Sequence, residues 1–178
     1  MTRDESLHAA IHEEVALHEY SALWPAAFRA ERDRLLSLLP GRFIDLQHIG
    51  STAVPGLAAK PIVDVLAGVE SMAAARALAG PLLDSGYTTS AEFNATLTDR
   101  QWFMRHARGH RTHHLHVVVH GSPAWFQRLR FRDLLRADAA LAQQYAEIKA
   151  RLAVAHSRDR EAYTEAKATF VLGVVGDA

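Results

Sequence analysis

Residues 48–64 read HIGSTAVPGLAAKPIVD, and this stretch joins two predicted β-strands. Polar and apolar residues alternate over 42–49, which predicts a strand that ends at Gly50. Residues 62–67 predict a second strand, which is apolar on both faces except at Asp64. A strand that is apolar on both faces is typical of the middle of a sheet, so we place this second strand centrally.

Working outward from this stretch, the sequence predicts helices at 23–39 and 71–85 and three further strands at 87–89, 100–106 and 113–120. Ser122-Pro123 is a strong helix start, and the chain then predicts helix to Val175, with breaks near 137–138 and 157–158. The expected fold class is α+β. A mixed sheet of about five strands is covered on one face by helices and followed by a helical C-terminal third.

The composition predicts one globular unit. Its 178 residues divide into a polar N-terminal tail (1–14), an α/β core (15–121) and C-terminal helices packed on that core (122–178). Twenty basic and twenty acidic side chains cancel, which argues against bulk binding of nucleic acid. The absence of cysteine excludes disulfides, thiolate nucleophiles and cysteine-based zinc sites. No apolar run approaches a membrane span and no secretory signal is recognised, so we expect a cytoplasmic protein without a membrane partner.

The loop between the first two strands carries groups suited to phosphate. Glycine at position 50 leaves backbone N–H groups open to an anion, Ser51 and Thr52 add hydroxyl donors, and Lys60 adds a positive charge. Asp64 follows on the next strand, where it could hold a divalent cation beside the phosphate. The structural alternative is a surface turn with a solvated lysine. Because an unpaired aspartate is costly inside an apolar strand, we expect the Gly-Ser bend and Asp64 to face one pocket.

Two histidines on the last predicted strand suggest a metal site. Alternation over 113–120 places His114 and His116 on the same face, about 7 Å apart at the backbone. If this strand lies beside Asp64, the two rings and the carboxylate could hold one ion, for which zinc, manganese or iron is better suited than magnesium. In the alternative, the imidazoles bind backbone carbonyls or a phosphate, or line a polar groove.

The helical third repeats charged and aromatic residues at helical spacing. Arg132 lies on one helix face and could grip a phosphate bidentately, or belong to a surface Arg-Asp network. Tyr145 and Lys149 form one i, i+4 pair, and Tyr163 and Lys167 form another. These rings and amines could close over a nucleotide base and phosphates. Equally, the tyrosines could pack between helices with the lysine tips in water.

The 48–64 motif closely resembles the signature of the GrpB family, without a gap. The resemblance continues through HLHV (114–117), FRDLLR (131–136) and the two tyrosine–lysine pairs, and it covers roughly 15–175. The family is similar to the nucleotidyltransferase superfold. The resemblance therefore implies that the Gly-Ser turn holds a triphosphate and that carboxylates on the following strands bind two magnesium ions. For this chain the expected cofactor is a divalent cation, magnesium or manganese, with zinc as a further possibility.

Two departures from the nucleotidyltransferase pattern concern the cation. Such enzymes carry two carboxylates one residue apart on the second strand, whereas Leu66 occupies the second place here. Relatives often have Glu before the His-Ile-Gly-Ser run, and here Gln47 replaces it beside His48. We expect Gln47 and His48 to lie behind the ligands and support them, and the missing charge to weaken any cation held there.

These observations predict a protein that binds a phosphorylated small molecule, in the first instance a nucleotide, with a divalent cation on Asp64. If the protein is catalytic, it would transfer a nucleotidyl or phosphoryl group to a small acceptor, with Asp64 as the critical residue. Two other functions stay open: a non-catalytic nucleotide- or coenzyme-binding module, and a histidine–metal hydrolase built on His114 and His116.

Overall fold

A mixed four-stranded sheet forms the centre of the protein, as a computed structural model of residues 1–176 describes it. The strand order is β1-β2-β4-β3; β2 and β4 are parallel, and the two outer pairs are antiparallel. The strands are β1 (Asp45–Ile49), β2 (Val63–Val69), β3 (Arg100–Ala107) and β4 (His110–Val119). The α+β class and the central position of β2 are thus confirmed.

The expected fifth strand at 87–89 is wrong. Only Thr88 pairs with the sheet, through two backbone hydrogen bonds of 2.8 Å to Met104. The chain leaves the Gly86 turn just before this point, and Ser90 caps a short helix just after it. The segment between these two features has room for one bridge and no more.

Eight α-helices surround the sheet among residues 1–176. They are α1 (Arg3–Ile11), α2 (Leu23–Leu38), α3 (Met72–Ala77), α4 (Ala79–Asp84), α5 (Ala91–Ala95), α6 (Pro123–Ala137), α7 (Ala139–Ala155) and α8 (Arg160–Val175). The expected start of α6 at Ser122-Pro123 is confirmed, because the Ser122 hydroxyl accepts from the Trp125 N–H. The breaks that separate α6, α7 and α8 also lie where the sequence predicts them.

Two helical segments differ from the prediction. The expected helix at 71–85 is two short helices, because Pro81 has no N–H to donate and its ring crowds the carbonyl of Ala77. The N-terminal segment, expected as a polar tail, contains helix α1. Thr2 and Glu5 form a reciprocal capping box at its start, and this supplies the local stability that the segment lacks in apolar residues.

The main core lies between one face of the sheet and helices α2 to α4. Alternate residues of β2 supply its centre, and Leu35 and Phe103 pack against them from α2 and β3. The buried members from β2 are Val63, Val65, Ala67 and Val69. Helices therefore cover this face as predicted.

The opposite face of the sheet is covered by helices in part. Trp125 of α6 packs there on Leu66 and Val118. A Cβ atom built on Gly68 would lie 2.9 Å from the Trp125 ring, so position 68 has no room for a side chain. Asp64 is two residues before Leu66 on the same strand and lies outside this packed patch. About a quarter of its side chain is exposed (26%). No helix within residues 1–176 combines the length and the apolar character that crossing a bilayer requires.

Candidate functional site

Asp64, His114 and His116 come together on the partly open face of the sheet. Because β2 and β4 are parallel and in register, Asp64 pairs with His114, and Leu66 pairs with His116. Asp64 Oδ1 lies 3.4 Å from His114 Nδ1 and 3.2 Å from His116 Nε2. The predicted three-residue cluster therefore exists, and the structure places its ligand atoms within 4.8 Å of one another.

The cluster fits a transition-metal ion. Tetrahedral zinc with bonds of about 2.0–2.1 Å has ligand atoms about 3.3 Å apart, close to the distances between Asp64 and the two rings. Two imidazoles and one carboxylate favour zinc or iron over magnesium. The outer nitrogens of the two rings, His114 Nε2 and His116 Nδ1, are buried without a hydrogen-bond partner among the described residues. The inner nitrogens donate to the Asp64 carboxylate, so an ion that binds there would displace their protons.

The electrostatics of the cluster keep all three groups in the charge state that metal binding requires. Burial raises the pKa of the Asp64 carboxyl, but the hydrogen bonds from His114 and His116 outweigh burial and bring that pKa below its usual value. Burial lowers the pKa of His114 to about 4, and it also lowers the pKa of His116. At neutral pH the aspartate is therefore ionised and both imidazoles are neutral.

The Gly-Ser turn meets the acid directly. Gly50 has φ of 74°, and a Cβ placed on it would lie 2.5 Å from Asp64 Oδ2, so only glycine fits. Ser51 starts a 3₁₀ turn in the next position, and its hydroxyl lies beside the buried Tyr145 phenol. The bend and Asp64 are thus neighbours, as the motif predicts.

Three lysines from three elements gather around two buried tyrosines near this turn. Lys60 Nζ and Lys167 Nζ lie 4.9 Å and 5.4 Å from the centre of the Tyr163 ring. Lys149 Nζ lies 5.0 Å from the centre of the Tyr145 ring and donates to the carbonyl of Ala58. The sequence pairs these residues only two by two along each helix, and the structure adds Lys60 to the Tyr163 and Lys167 pair.

The lysine group carries more positive charge than its surroundings neutralise. Burial, followed by the positive charge of Lys167, lowers the pKa of both Lys60 and Lys149 to about 7. Asp64 is the acid that raises both values, so the lysines lie within electrostatic reach of the metal cluster. None of the three amines has a carboxylate within 4.0 Å in the described part of the chain.

Polar atoms without partners line the same region. The Tyr163 hydroxyl is fully buried and has no hydrogen-bond partner among the described residues. Arg160 has buried Nε and Nη1 atoms in the same situation, while its Nη2 donates to the Glu13 carbonyl oxygen at 3.2 Å. Unpaired donors of this kind cost free energy, so an anion that accepts from them would be favoured.

Thr52, expected to bind phosphate, and His48, expected to support the ligands, both stabilise the turn from its inner side. The buried Thr52 hydroxyl is 2.9 Å from His48 Nε2 and donates to the Ile62 carbonyl at 3.3 Å, so it is not free to bind phosphate. The His48 ring stacks on Phe28, on the face of the sheet away from Asp64. Because the side chains of a strand alternate between faces, His48 cannot contact the cation.

The guanidinium group of Arg132 is also occupied by contacts within the protein. Its Nη1 donates to Gln47 Oε1 at 2.9 Å and to the His48 carbonyl at 3.1 Å, and its Nη2 pairs with Asp133 at 2.9 Å. Gln47 in turn donates to Asp45 Oδ2. The predicted phosphate contact of Arg132 is therefore replaced by a brace between α6 and β1.

A separate cleft of about 500 Å³ lies on the other side of the turn. Its walls come from Pro55, Leu57 and helices α6 and α7, and Arg136 reaches it while its Nε donates to the Ala53 carbonyl at 2.8 Å. Asp64 and the three lysines do not line it. We therefore assign the candidate site to the polar cluster and not to this cleft.

Sequence reasoning missed the arginines that surround the cluster. Arg111 lowers the pKa of His114 and Lys60, and Arg160 lowers that of Lys60. Neither residue belongs to a motif, and each comes from an element remote in sequence from Asp64. The absence of acidic residues from β4, which contains Arg111 and four histidines, is the signal that the sequence offers.

Fold and site together define an α+β protein with a candidate metal cluster beside unneutralised lysines. The family model described as "GrpB protein" matches residues 14–176. The crystal structure of conserved protein GrpB from Enterococcus faecalis superposes with a TM-score of 0.74 at 30% identity, covering 90% of this chain and all of that one. The chain belongs to the GrpB family.

Curated relatives place this unit in longer proteins as well. The chain is 36% identical to UPF0157 protein YqkA of Bacillus subtilis over 148 residues, which are 83% of this chain and 42% of YqkA. It is 31% identical to the dephospho-CoA kinase of Mycolicibacterium paratuberculosis over 166 residues, 81% of this chain and 41% of that protein. This chain therefore spans less than half the length of each of these two relatives.

Proposed function

We propose that the protein binds a phosphorylated ligand, a nucleotide or a nucleotide-containing coenzyme, at a divalent cation held by Asp64, His114 and His116. The observation that carries the proposal is the position of this cluster within electrostatic reach of a group of lysines, Lys60, Lys149 and Lys167, whose amines have no carboxylate within 4.0 Å among residues 1–176. A polyphosphate supplies the missing negative charge and can bind the cation at the same time. The likeness to a dephospho-CoA kinase supports a ligand of this class.

The arrangement suits nucleotidyl or phosphoryl transfer to a small acceptor. A bound cation would polarise a phosphoryl oxygen and stabilise the charge that develops on it. Lys60 and Lys167 would neutralise the remaining phosphate oxygens, and the Tyr163 hydroxyl has a free hydrogen to donate. Gly50 lets the turn approach Asp64 closely enough for the phosphate and the carboxylate to share one cation.

One observation favours a second candidate, a histidine–metal hydrolase. Leu66 occupies the place of a second carboxylate, so the cluster offers ligands for one ion and not for two. A single ion on two histidines and one carboxylate keeps a free position at which water can be activated. The two candidates share the cation and differ in the acceptor of the phosphoryl group, which is water in the hydrolase.

Replacing Asp64 by Asn tests both candidates, because Asn keeps the shape of the side chain and removes the charge. We expect the affinity for Mn²⁺ and Zn²⁺, measured by titration calorimetry, to fall by more than about 100-fold, which exceeds the usual effect of changing a residue that only supports a ligand. ATP in the presence of Mn²⁺ should raise the melting temperature of the wild type and not that of the variant.

The matched control is Glu70→Gln, which removes an exposed carboxylate next to the end of the same strand. This variant should bind metal and ATP as the wild type does. Unchanged metal and ATP binding by the Asp64 variant would overturn the proposal. Chromatography of the wild-type reaction with a small alcohol acceptor then separates transfer, which yields an acceptor adduct, from hydrolysis and from binding without turnover.

A further inference from the structure

Two arginines from different elements meet at the far side of the candidate metal cluster. The register of β3 and β4 places Arg100 directly opposite Val118. Val118 packs on Ala124 and Trp125 of α6, and Arg128 follows one turn later, with its Nη1 donating to the Ala124 carbonyl at 2.9 Å. The strand register and helix α6 thus bring the two arginines to the same region around Val118.

This arginine pair lacks a counter-charge. Within residues 1–176, neither guanidinium has a carboxylate within 4.0 Å, and Arg100 Nε is buried without a hydrogen-bond partner. Burial, followed by the charge of Arg100, lowers the pKa of Arg128, and Asp99 opposes this effect in part. Holding two like charges together away from water costs free energy that an anion between them would offset.

The pair lies at the opposite end of the cluster from the lysines. Lys60 precedes the start of β2 at Val63, which pairs with His113, whereas Arg100 pairs with Val118, which lies beside Gly68 near the other end of β2. Along β4, the step from His114 to Val118 is four residues, about 13 Å of strand. The cations therefore lie at two separate points beside the candidate metal cluster, and the patch that Trp125 covers lies at the arginine end.

We infer that Arg100 and Arg128 form a second subsite, which binds a phosphate group at the end of the ligand or acceptor distant from the lysines. Two guanidiniums match a phosphate monoester, with about −1.5 to −2 charges at pH 7, better than a carboxylate with one. Their planar donors also suit bidentate contact with phosphate oxygens. The place of this phosphate in the reaction rests on the proposed function, but its binding by the arginines does not.

Calorimetric titration of metal-free protein with inorganic phosphate tests the subsite. The wild type should bind phosphate both at the lysines and at the arginines. Arg100→Gln/Arg128→Gln should weaken the arginine-dependent binding by about 10- to 100-fold, the value of charge-assisted hydrogen bonds. Arg130→Gln, which removes an exposed charge from the same helix, is the matched control and should bind as the wild type does.

The arms of this experiment separate the alternatives. Equal phosphate binding by the double variant and the control would overturn the subsite, and arginine-dependent binding of acetate as tight as that of phosphate would overturn its assignment to phosphate. If the double variant does not melt cooperatively, Arg128→Lys, which keeps the charge and loses the bidentate fork, should still lose phosphate affinity. Loss of metal binding in Asp64→Asn tests the proposed function alone, because it leaves both arginines intact.

Discussion

The two faces of the sheet each carry a partly or fully buried acid, but only one of the two is balanced by protein groups alone. On the core face, the buried Glu31 accepts from the Tyr87 hydroxyl at 2.6 Å and pairs with Arg34 and Arg105. Burial raises the pKa of Glu31, and the hydrogen bonds from Arg34 and Tyr87 outweigh it, so the net shift is downward. This network is satisfied without a ligand.

On the other face, Asp64 is surrounded by more cations than it can neutralise. Lys60, Lys149 and Arg111 lie near the cluster, and Arg100 and Arg128 lie beyond His116. A balanced set of buried charges is accounted for by its contribution to stability. A surplus of positive charge beside candidate metal ligands instead indicates an anionic ligand. The comparison thus separates a structural network from the candidate binding site in the same small protein.

The largest expected effect is on stability, from Glu31→Gln. The change leaves Arg34 and Arg105 without their counter-charge. Because these two side chains are about 30% exposed, we expect the free energy of unfolding to fall by about 3 kcal/mol, the lower end of the range for breaking a buried ion pair. Urea denaturation measures it. Asp33→Asn, which breaks an exposed pair with Arg32 on the same helix, should change stability by less than about 0.5 kcal/mol. Equal losses in the two variants would contradict the contrast between the faces.

A smaller effect, on binding, is expected from Lys149→Met. Methionine fills a similar volume without a charge to desolvate, so the free energy of unfolding should change by less than about 1 kcal/mol, although the Ala58 carbonyl loses its donor. Phosphate affinity at the lysine group should fall about tenfold, equivalent to about 1.4 kcal/mol. Arg151→Gln, on the exposed side of the same helix, is the calorimetric control. A large loss of stability with unchanged affinity would make Lys149 a structural residue.

The smallest expected effect is a dependence on pH. Since the pKa values of Lys60 and Lys149 are about 7, both amines are charged below pH 7 and neutral well above it, so affinity for sulfate should fall severalfold between pH 6 and 9. Sulfate keeps its own charge over this range. In the unfolded chain these lysines hold their protons up to about pH 10.5, so the stability of the free protein should rise with pH over the same interval. Affinity and stability that change in the same direction would argue against the lysine group as the source.

Much of the fold could be predicted from local sequence signals. The alternation in β1, the apolar run of β2 and the Ser122-Pro123 start of α6 are properties of neighbouring residues, and each lies where the sequence predicts it. The predicted elements are wrong where a single residue or a contact between distant residues determines the local structure. Pro81 divides one expected helix, and the contact of Thr88 with Met104 reduces an expected strand to one bridge.

The candidate site was predicted in part for the same reason. Asp64, Gly50 and the two histidines are found together because the strand register is set by alternation that can be read in the sequence. Thr52, His48 and Arg132 share that motif or helix but face the interior of the turn, which depends on how α2 and α6 pack against it. No local pattern reports such packing.

The sequence by itself determined the α+β class, the Gly-Ser turn before a lone buried-strand acid, and the types of chemical group available near it. Only the tertiary structure decided which charges are balanced, because Lys60, Lys149 and Lys167 belong to three separate elements and Arg100 meets Arg128 across a strand and a helix. Electrostatic energy depends on distances in space and not on separation along the chain, so the surplus of positive charge around Asp64 becomes visible only in the folded protein.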